Sequence, residues 1–309
     1  MFGVRIHSLI SSLLLSIALF PSLALCGDAL KVPFRIERNR IIIPTQVNGS
    51  PPLSIILDTG MRFDGVYLFH QDALKLIDTT GAVEARVPGA GSGEASIVTM
   101  IETGNVKFGE VIITNQRIMV SHSAHTQTFP TDGVIGWNLF GHYIVEVDYD
   151  QQLIQLRDTA YFSFDSSWTV IPVEMRDDFP FFDITVEVVD GEVVPLEVYI
   201  DLASGDVLEL LVHPNQKFTL PKNVTWDRLG TGLSGDIYGN RGRSKRLLLG
   251  GYELTNVTTS FAPTEVRSKQ ETGDGIFGND LIRRFNIVFD YPHQRLLIKP
   301  NKTFTQPFE

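Results

Sequence analysis

From residue 30 onward the chain is built of short apolar or alternating runs. They include "RIIIPTQV" (40–47), "SIILDTG" (54–60), "VYLF" (66–69), "EVIITNQRIMV" (110–120), "YIVEVDY" (143–149) and "FDITVEVV" (182–189), bounded by Gly, Pro, Asn and Asp. β-Branched and aromatic residues dominate them, and period-two alternation turns one face of each toward a core. Helical signals are short: "QDALKLI" (71–77), "NLFGH" (138–142) and "NDLIRRF" (279–285). The pattern predicts an all-β protein.

The pattern is also written twice. "DGVIGWNLFGHYIVEVDY" starts at Asp132 and "DGIFGNDLIRRFNIVFDY" at Asp274. Both open Asp-Gly, two apolar residues and Gly, and both close on a strand ending Asp-Tyr. Upstream, "NGSPPLSIILDTG" (48–60) is answered by "DGEVVPLEVYIDLASG" (190–205), which sets Asp58 opposite Asp201. Asp58 precedes Asp132 by 74 residues, and Asp201 precedes Asp274 by 73. The repeat itself, 143 residues from Asp58 to Asp201, far exceeds the periods of solenoids, so it predicts two similar lobes. The boundary is expected within 157–175, giving lobes over 27–165 and 166–309. No low-complexity linker separates them, so they should share an interface.

Composition narrows the functional classes. A chain of 309 residues, 43% hydrophobic and 20% charged, can bury a sizeable core, and its length suits about two units of 150 residues. A formal net charge of −10 argues against nucleic acid or anionic lipid as the main partner. At the N-terminus, Arg5, the apolar stretch 9–20 and Ala24-Leu25-Cys26 fit an export signal over 1–26. The apolar stretch is too short to span a bilayer, so no transmembrane segment is expected in the mature chain. The rival reading is a lipoprotein anchored through Cys26, although Leu25 suits that processing poorly. Cys26 is the only cysteine, which rules out an internal disulfide and suits a bacterial periplasmic or secreted protein. The sequons at Asn48, Asn223, Asn256 and Asn301 point the other way, and short sequons arise often by chance.

An acidic residue ending an apolar run, as Asp58 does, is out of place unless it is paired, hydrogen-bonded or used. "ILDTG" (56–60), "DGVIG" (132–136), "YIDLASG" (199–205) and "DGIFG" (274–278) together resemble the pepsin- and retropepsin-like aspartic proteases, most closely exported bacterial members. The resemblance covers nearly all of the mature chain. It implies a bilobal pepsin-like fold, a cleft between the lobes, peptide or protein substrates and no cofactor or metal. It also implies that Asp58 and Asp201 form a water-activating pair. Thr59 would hydrogen-bond across the axis between the lobes, Gly60 would allow close backbone approach and unusual dihedrals, and Gly136 and Gly278 would pack beside the two loops.

The second copy departs from the family pattern, reading Asp201-Leu202-Ala203-Ser204. Leu202 has no hydroxyl to return the cross-axis bond, and Ala203 is unfavourable if its position needs positive φ. Ser204 is expected to donate to the outer oxygen of Asp201. If the loop has decayed, the alternative is a weak or inactive peptide-binding relative. The Gly-rich stretch 87–97, with Gly89, Gly91 and Gly93, falls where the family carries a flap. Its counterpart at 229–243 offers Tyr238 or Arg241 as substrate contacts. Gly230, Gly232 and Gly235 match a bare dinucleotide fingerprint but lack its βαβ setting. Asp132 and Asp274 read as turn carboxylates, His122 and His125 as exposed loop histidines, and "RGRSKR" (241–246) as a solvated hairpin edge.

Overall fold

A computed structural model of the chain describes residues 29–267 and 273–308. The export signal read over 1–26 and the anchor read at Cys26 lie outside the described residues. The first half forms strands β1 (Leu30–Pro33), β2 (Arg35–Glu37), β3 (Arg40–Val47), β4 (Leu53–Leu57), β5 (Gly65–Leu68), β6 (Val83–Val87), β7 (Ser96–Phe108), β8 (Val111–Ser121) and β9 (Gly133–Ile135), helix α1 (Trp137–Phe140), then β10 (Ile144–Asp148) and β11 (Leu153–Arg157). The second half repeats the series as β12 (Thr169–Pro172), β13 (Glu174–Arg176), β14 (Phe179–Glu187), β15 (Val193–Asp201), β16 (Leu208–Val212), β17 (Thr225–Gly232), β18 (Gly235–Leu249), β19 (Tyr252–Pro263), β20 (Gly275–Gly278), α2 (Asn279–Ile282), β21 (Phe285–Asp290) and β22 (Arg295–Pro300). The three sequence runs with helical signals become a 3₁₀ turn at Gln71–Lys75, α1 and α2.

Each half builds an eight-stranded sheet with the same internal order. The first runs β2-β3-β4-β9-β5-β8-β7-β6 and the second β13-β14-β15-β20-β16-β19-β18-β17. In each, a further pairing (β3 with β7, β14 with β18) curls the sheet into a barrel-like lobe. The remaining strands form one six-stranded sheet, β1-β11-β10-β21-β22-β12, which reads the same from either end once the repeat is applied. Its centre is the antiparallel pair β10–β21, with Val145 opposite Phe289 and Val147 opposite Ile287. The shared sheet carries the interface that a chain without a linker requires. Phe140 of the first half meets Phe289 of the second edge-on at 5.0 Å between ring centroids.

The threading of the apolar strands positions the site. β9, wholly buried, lies between β4 and β5, parallel to the first and antiparallel to the second. β4 and β5 are consecutive in sequence, so this wedge separates them and forces the connecting loop, 58–64, to open at their ends. β20 does the same between β15 and β16. Among the described residues, no helix is long and apolar enough to cross a membrane.

Candidate active site

Both wedge-opened loops deliver an aspartate to one cleft of about 1320 Å³ between the lobes. Asp58 follows β4, its N–H donating to the Ile135 carbonyl of β9 at 2.8 Å. The Gly60 N–H donates to Asp58 Oδ1 at 2.7 Å. Asp201 ends β15 opposite Gly278, and its Oδ1 accepts from the N–H groups of Ala203 and Ser204 at 2.8 and 3.1 Å. Both side chains are half-buried in the cleft wall.

One hydroxyl ties the loops together. Buried Thr59 donates from Oγ1 to the Ile200 carbonyl at 2.6 Å and accepts from the Leu202 N–H at 3.0 Å. Leu202 makes no return bond; its side chain is fully buried in the core. Ser204 acts differently from expectation. Its backbone N–H holds Asp201, while its hydroxyl accepts from the Asp206 N–H at 3.3 Å.

The concern over Ala203 is also removed. Neither Ala203 nor Gly60 has positive φ, so the loop accepts a Cβ without left-handed backbone strain at either position. Close approach remains, since a Cβ on Gly60 would lie 3.1 Å from Asp58 Oδ1. The stricter glycines are those beside the loops. A Cβ on Gly136 would sit 2.0 Å from the Asp58 carbonyl oxygen, and one on Gly278 would sit 2.2 Å from that of Asp206.

Two arginines absent from the sequence reading join each loop to the opposite lobe. Arg40, at the β2–β3 hairpin, donates from Nε to the Ala203 carbonyl at 2.5 Å. The equivalent residue of the β13–β14 hairpin is Phe179, since Arg40 pairs with Glu37 as Phe179 pairs with Arg176. Phe179 is covered by Arg62 of the first-lobe loop, 4.1 Å from guanidinium carbon to ring centroid, and Arg62 donates to the Asp177 carbonyl at 2.9 Å. Counted from the aspartates, Arg62 corresponds to Gly205. Each joint thus holds one arginine, supplied by the hairpin on one side and by the loop on the other. Burial pulls the Arg40 guanidinium below its ordinary value; Asp201, Asp206 and Asp58 raise it again, against Arg38.

The cleft is roofed by two hairpin tips that touch. The β6–β7 tip carries Gly89, Gly91 and Gly93, and the β17–β18 tip carries Gly232 and Gly235. Gly93 N–H donates to the Ser234 carbonyl at 2.5 Å, and Ser234 N–H to the Ala90 carbonyl at 2.9 Å. Cβ atoms on Gly91, Gly93 and Gly232 would lie 2.6, 2.4 and 2.2 Å from backbone atoms of the facing tip. His125, expected to be an exposed loop residue, is half-buried and reaches Thr231 Oγ1 of the opposite tip at 2.7 Å. His122 bonds separately to Gln71 and Thr99.

Three further expectations change or sharpen. Ile237, not Tyr238, lines the cleft, because alternation along β18 turns Tyr238 outward, where it is 45% exposed. Arg241 is occupied by Asp206 at 3.0 Å and Asp227 at 3.2 Å, so it braces the second lobe, and it is not among the residues lining the cleft. The Gly230–Gly235 fingerprint lies in a strand–turn–strand. Asp132 and Asp274 are structural in matching ways, accepting the Ser54 and Glu197 N–H groups at 2.7 and 2.9 Å. Among the described residues, no His, Cys, Asp and Glu side chains group as a metal site.

Comparison with known proteins adds a likeness of fold. No family model matches the chain, and no curated protein sequence matches it. Among solved structures, an aspartic proteinase from Irpex lacteus is similar over 90% of this chain and 99% of its own, with a TM-score of 0.59 and 16% identity. That likeness, with the doubled lobe and the central six-stranded sheet, shows that the chain has the bilobal pepsin-like fold.

Proposed function

We propose that the chain is an aspartic endopeptidase, with Asp58 and Asp201 as its water-activating pair. The observation carrying this reading is that two equivalent loops present two aspartates to one cleft and are held by a shared threonine hydroxyl. In this reading one carboxylate works ionised and the other protonated, as paired carboxylates do in general acid–base catalysis. The ionised member takes a proton from a water held between them as that water attacks the scissile carbonyl. The protonated member donates to the carbonyl oxygen, and the tetrahedral intermediate collapses with protonation of the leaving amine. The peptide lies extended beneath the two hairpin tips, which exclude bulk water once closed. This reading assigns the cleft's other residues to support and substrate binding, needs no cofactor, and places the protein among exported enzymes divided near residue 165.

The degenerate Leu202-Ala203 pair favours a second reading, a peptide-binding relative that keeps the cleft and has lost the chemistry. Incubation of the mature protein with a mixed peptide library from pH 3 to 7, beside Asp58→Asn, separates the two. Products that disappear in the variant support hydrolysis. Folded protein that binds peptides and yields no products at any pH supports the binder.

A further inference from the structure

The two lobes are alike in backbone but differ at the residue each sends into the cleft from the strand behind the loop. In β5, Tyr67 faces Val134 of β9; in β16, Glu209 faces Ile276 of β20. Val134 and Ile276 are equivalent, so Glu209 stands where the first lobe has Tyr67. Around Tyr67 the wall is apolar, with Ile56, Phe69 and Phe129, the last two edge-on at 4.8 Å. Around Glu209 lie Leu229 and Ile237, and also Arg267, all lining the same cleft.

Glu209 and Arg267 form a buried ion pair, their side chains 6% and 8% exposed. Arg267 donates from Nε and Nη2 to the same oxygen, Oε1, at 2.8 and 2.5 Å. The acceptor capacity of Oε2 is left for whatever fills the pocket. A pair in this setting is a weak source of stability, because well-packed apolar residues commonly do as well or better. The apolar first-lobe wall shows that the fold itself does not require charge at this position.

Resting on the protease reading, we propose that this second-lobe subsite takes an asparagine or glutamine side chain of the peptide. Equivalent positions lie on opposite sides of the axis between the lobes, so the carboxamide and the residue held near Tyr67 flank the scissile bond. A carboxamide N–H donates to Oε2 and adds no charge. A lysine or arginine would press against Arg267. An aspartate or glutamate would meet Glu209, with Asp201 and Asp206 acting on the same site. Asp206 is itself neutralised by Arg241 at 3.0 Å, so the pocket is balanced and a neutral donor suits it best.

The test is a calorimetric titration of the full mature protein with hexapeptides carrying a reduced, non-cleavable bond. The residue at each flanking position is varied among Gln, Asn, Leu, Lys and Glu. At one of the two positions, Gln or Asn is expected to bind at least tenfold tighter than Leu, Lys or Glu. Glu209→Leu/Arg267→Leu should reverse that order in favour of Leu and leave the other position unchanged. Equal or tighter binding of Leu, Lys or Glu by the unsubstituted protein overturns the proposal whether or not the variant folds, as does an unchanged order in a folded variant. Cleavage of the corresponding natural peptides is followed in parallel. Binding in the expected order without cleavage refutes the hydrolase and keeps the subsite, while cleavage without the carboxamide preference refutes the subsite alone.

Discussion

Thr59→Val replaces a hydroxyl by a methyl of nearly the same shape and leaves two buried backbone groups of the other lobe, the Ile200 carbonyl and the Leu202 N–H, without their partner. Ile200 and Leu202 are 1% and 0% exposed, so water cannot replace the lost bonds. Each stranded group costs about 1–3 kcal/mol, which puts the substitution at about 2–6 kcal/mol. Leu202 has no hydroxyl to share the load, so the loss falls wholly on this contact. A typical domain is stable by only about 5–15 kcal/mol, and such a loss is a large fraction of it. Thr59→Ser keeps both bonds and gives up one methyl, about 1 kcal/mol. Urea unfolding of the three proteins measures the differences directly. On the hydrolase reading, peptidase activity should fall in the same order, because the bonds that stabilise the loops also hold the carboxylates in register. A Val variant within about 0.5 kcal/mol of the Ser variant would sink the argument, since even a typical net hydrogen bond exceeds that.

Three further perturbations address other parts of the molecule. Arg40→Met removes a charged donor from the Ala203 carbonyl and should lower stability by about 1.5–3 kcal/mol, read by the same unfolding, with Arg40→Lys recovering part of it. Gly232→Ala places a Cβ 2.2 Å from the Ala90 carbonyl oxygen, so the hairpin tips should separate. Faster hydrogen exchange at the Gly93 and Ser234 amides would register this; unchanged exchange would contradict the closed roof. Burial pushes the Glu209 carboxyl up against the pull of Arg267, so its folded value exceeds its unfolded one. The stabilising contribution is then complete below the unfolded value, about 4.3, and lost as pH rises through the folded one. The stability of the unsubstituted protein relative to Glu209→Gln should accordingly fall as pH rises above about 4.3, and melting curves from pH 4 to 8 would show it.

The features legible in the sequence were those that both copies must satisfy to fold alike. A glycine beside each loop is forced by a backbone oxygen within about 2 Å of where a Cβ would stand, and an Asp-Gly turn is forced by the N–H that its carboxylate accepts. Such demands are local, so they recur in register and reveal the doubled lobe. Contacts across the axis obey no such rule. Arg40 answers Phe179, and Arg62 answers Gly205, so the two joints use different residues and leave no repeated signature. Tyr238 was misplaced for a different reason. Ile237 and Tyr238 are neighbours on β18 and alternation sets them on opposite faces; the extra residue of the register slip between Arg228 and Gly230 lies in β17, and the sequence does not mark which face of β18 looks into the cleft. Glu209 is the instructive omission. It interrupts the apolar run "VLELLV" (207–212) as Asp58 ends "SIIL", and the same physical objection to a buried acid applies to both. Asp58 is matched by Asp201, so the repeat brings it out, whereas Glu209 is matched by Tyr67, so the repeat passes over it. In a duplicated fold, agreement between copies marks what the shared chemistry needs. On the proposed reading, disagreement at a cleft-lining position marks where the two halves of a substrate are told apart.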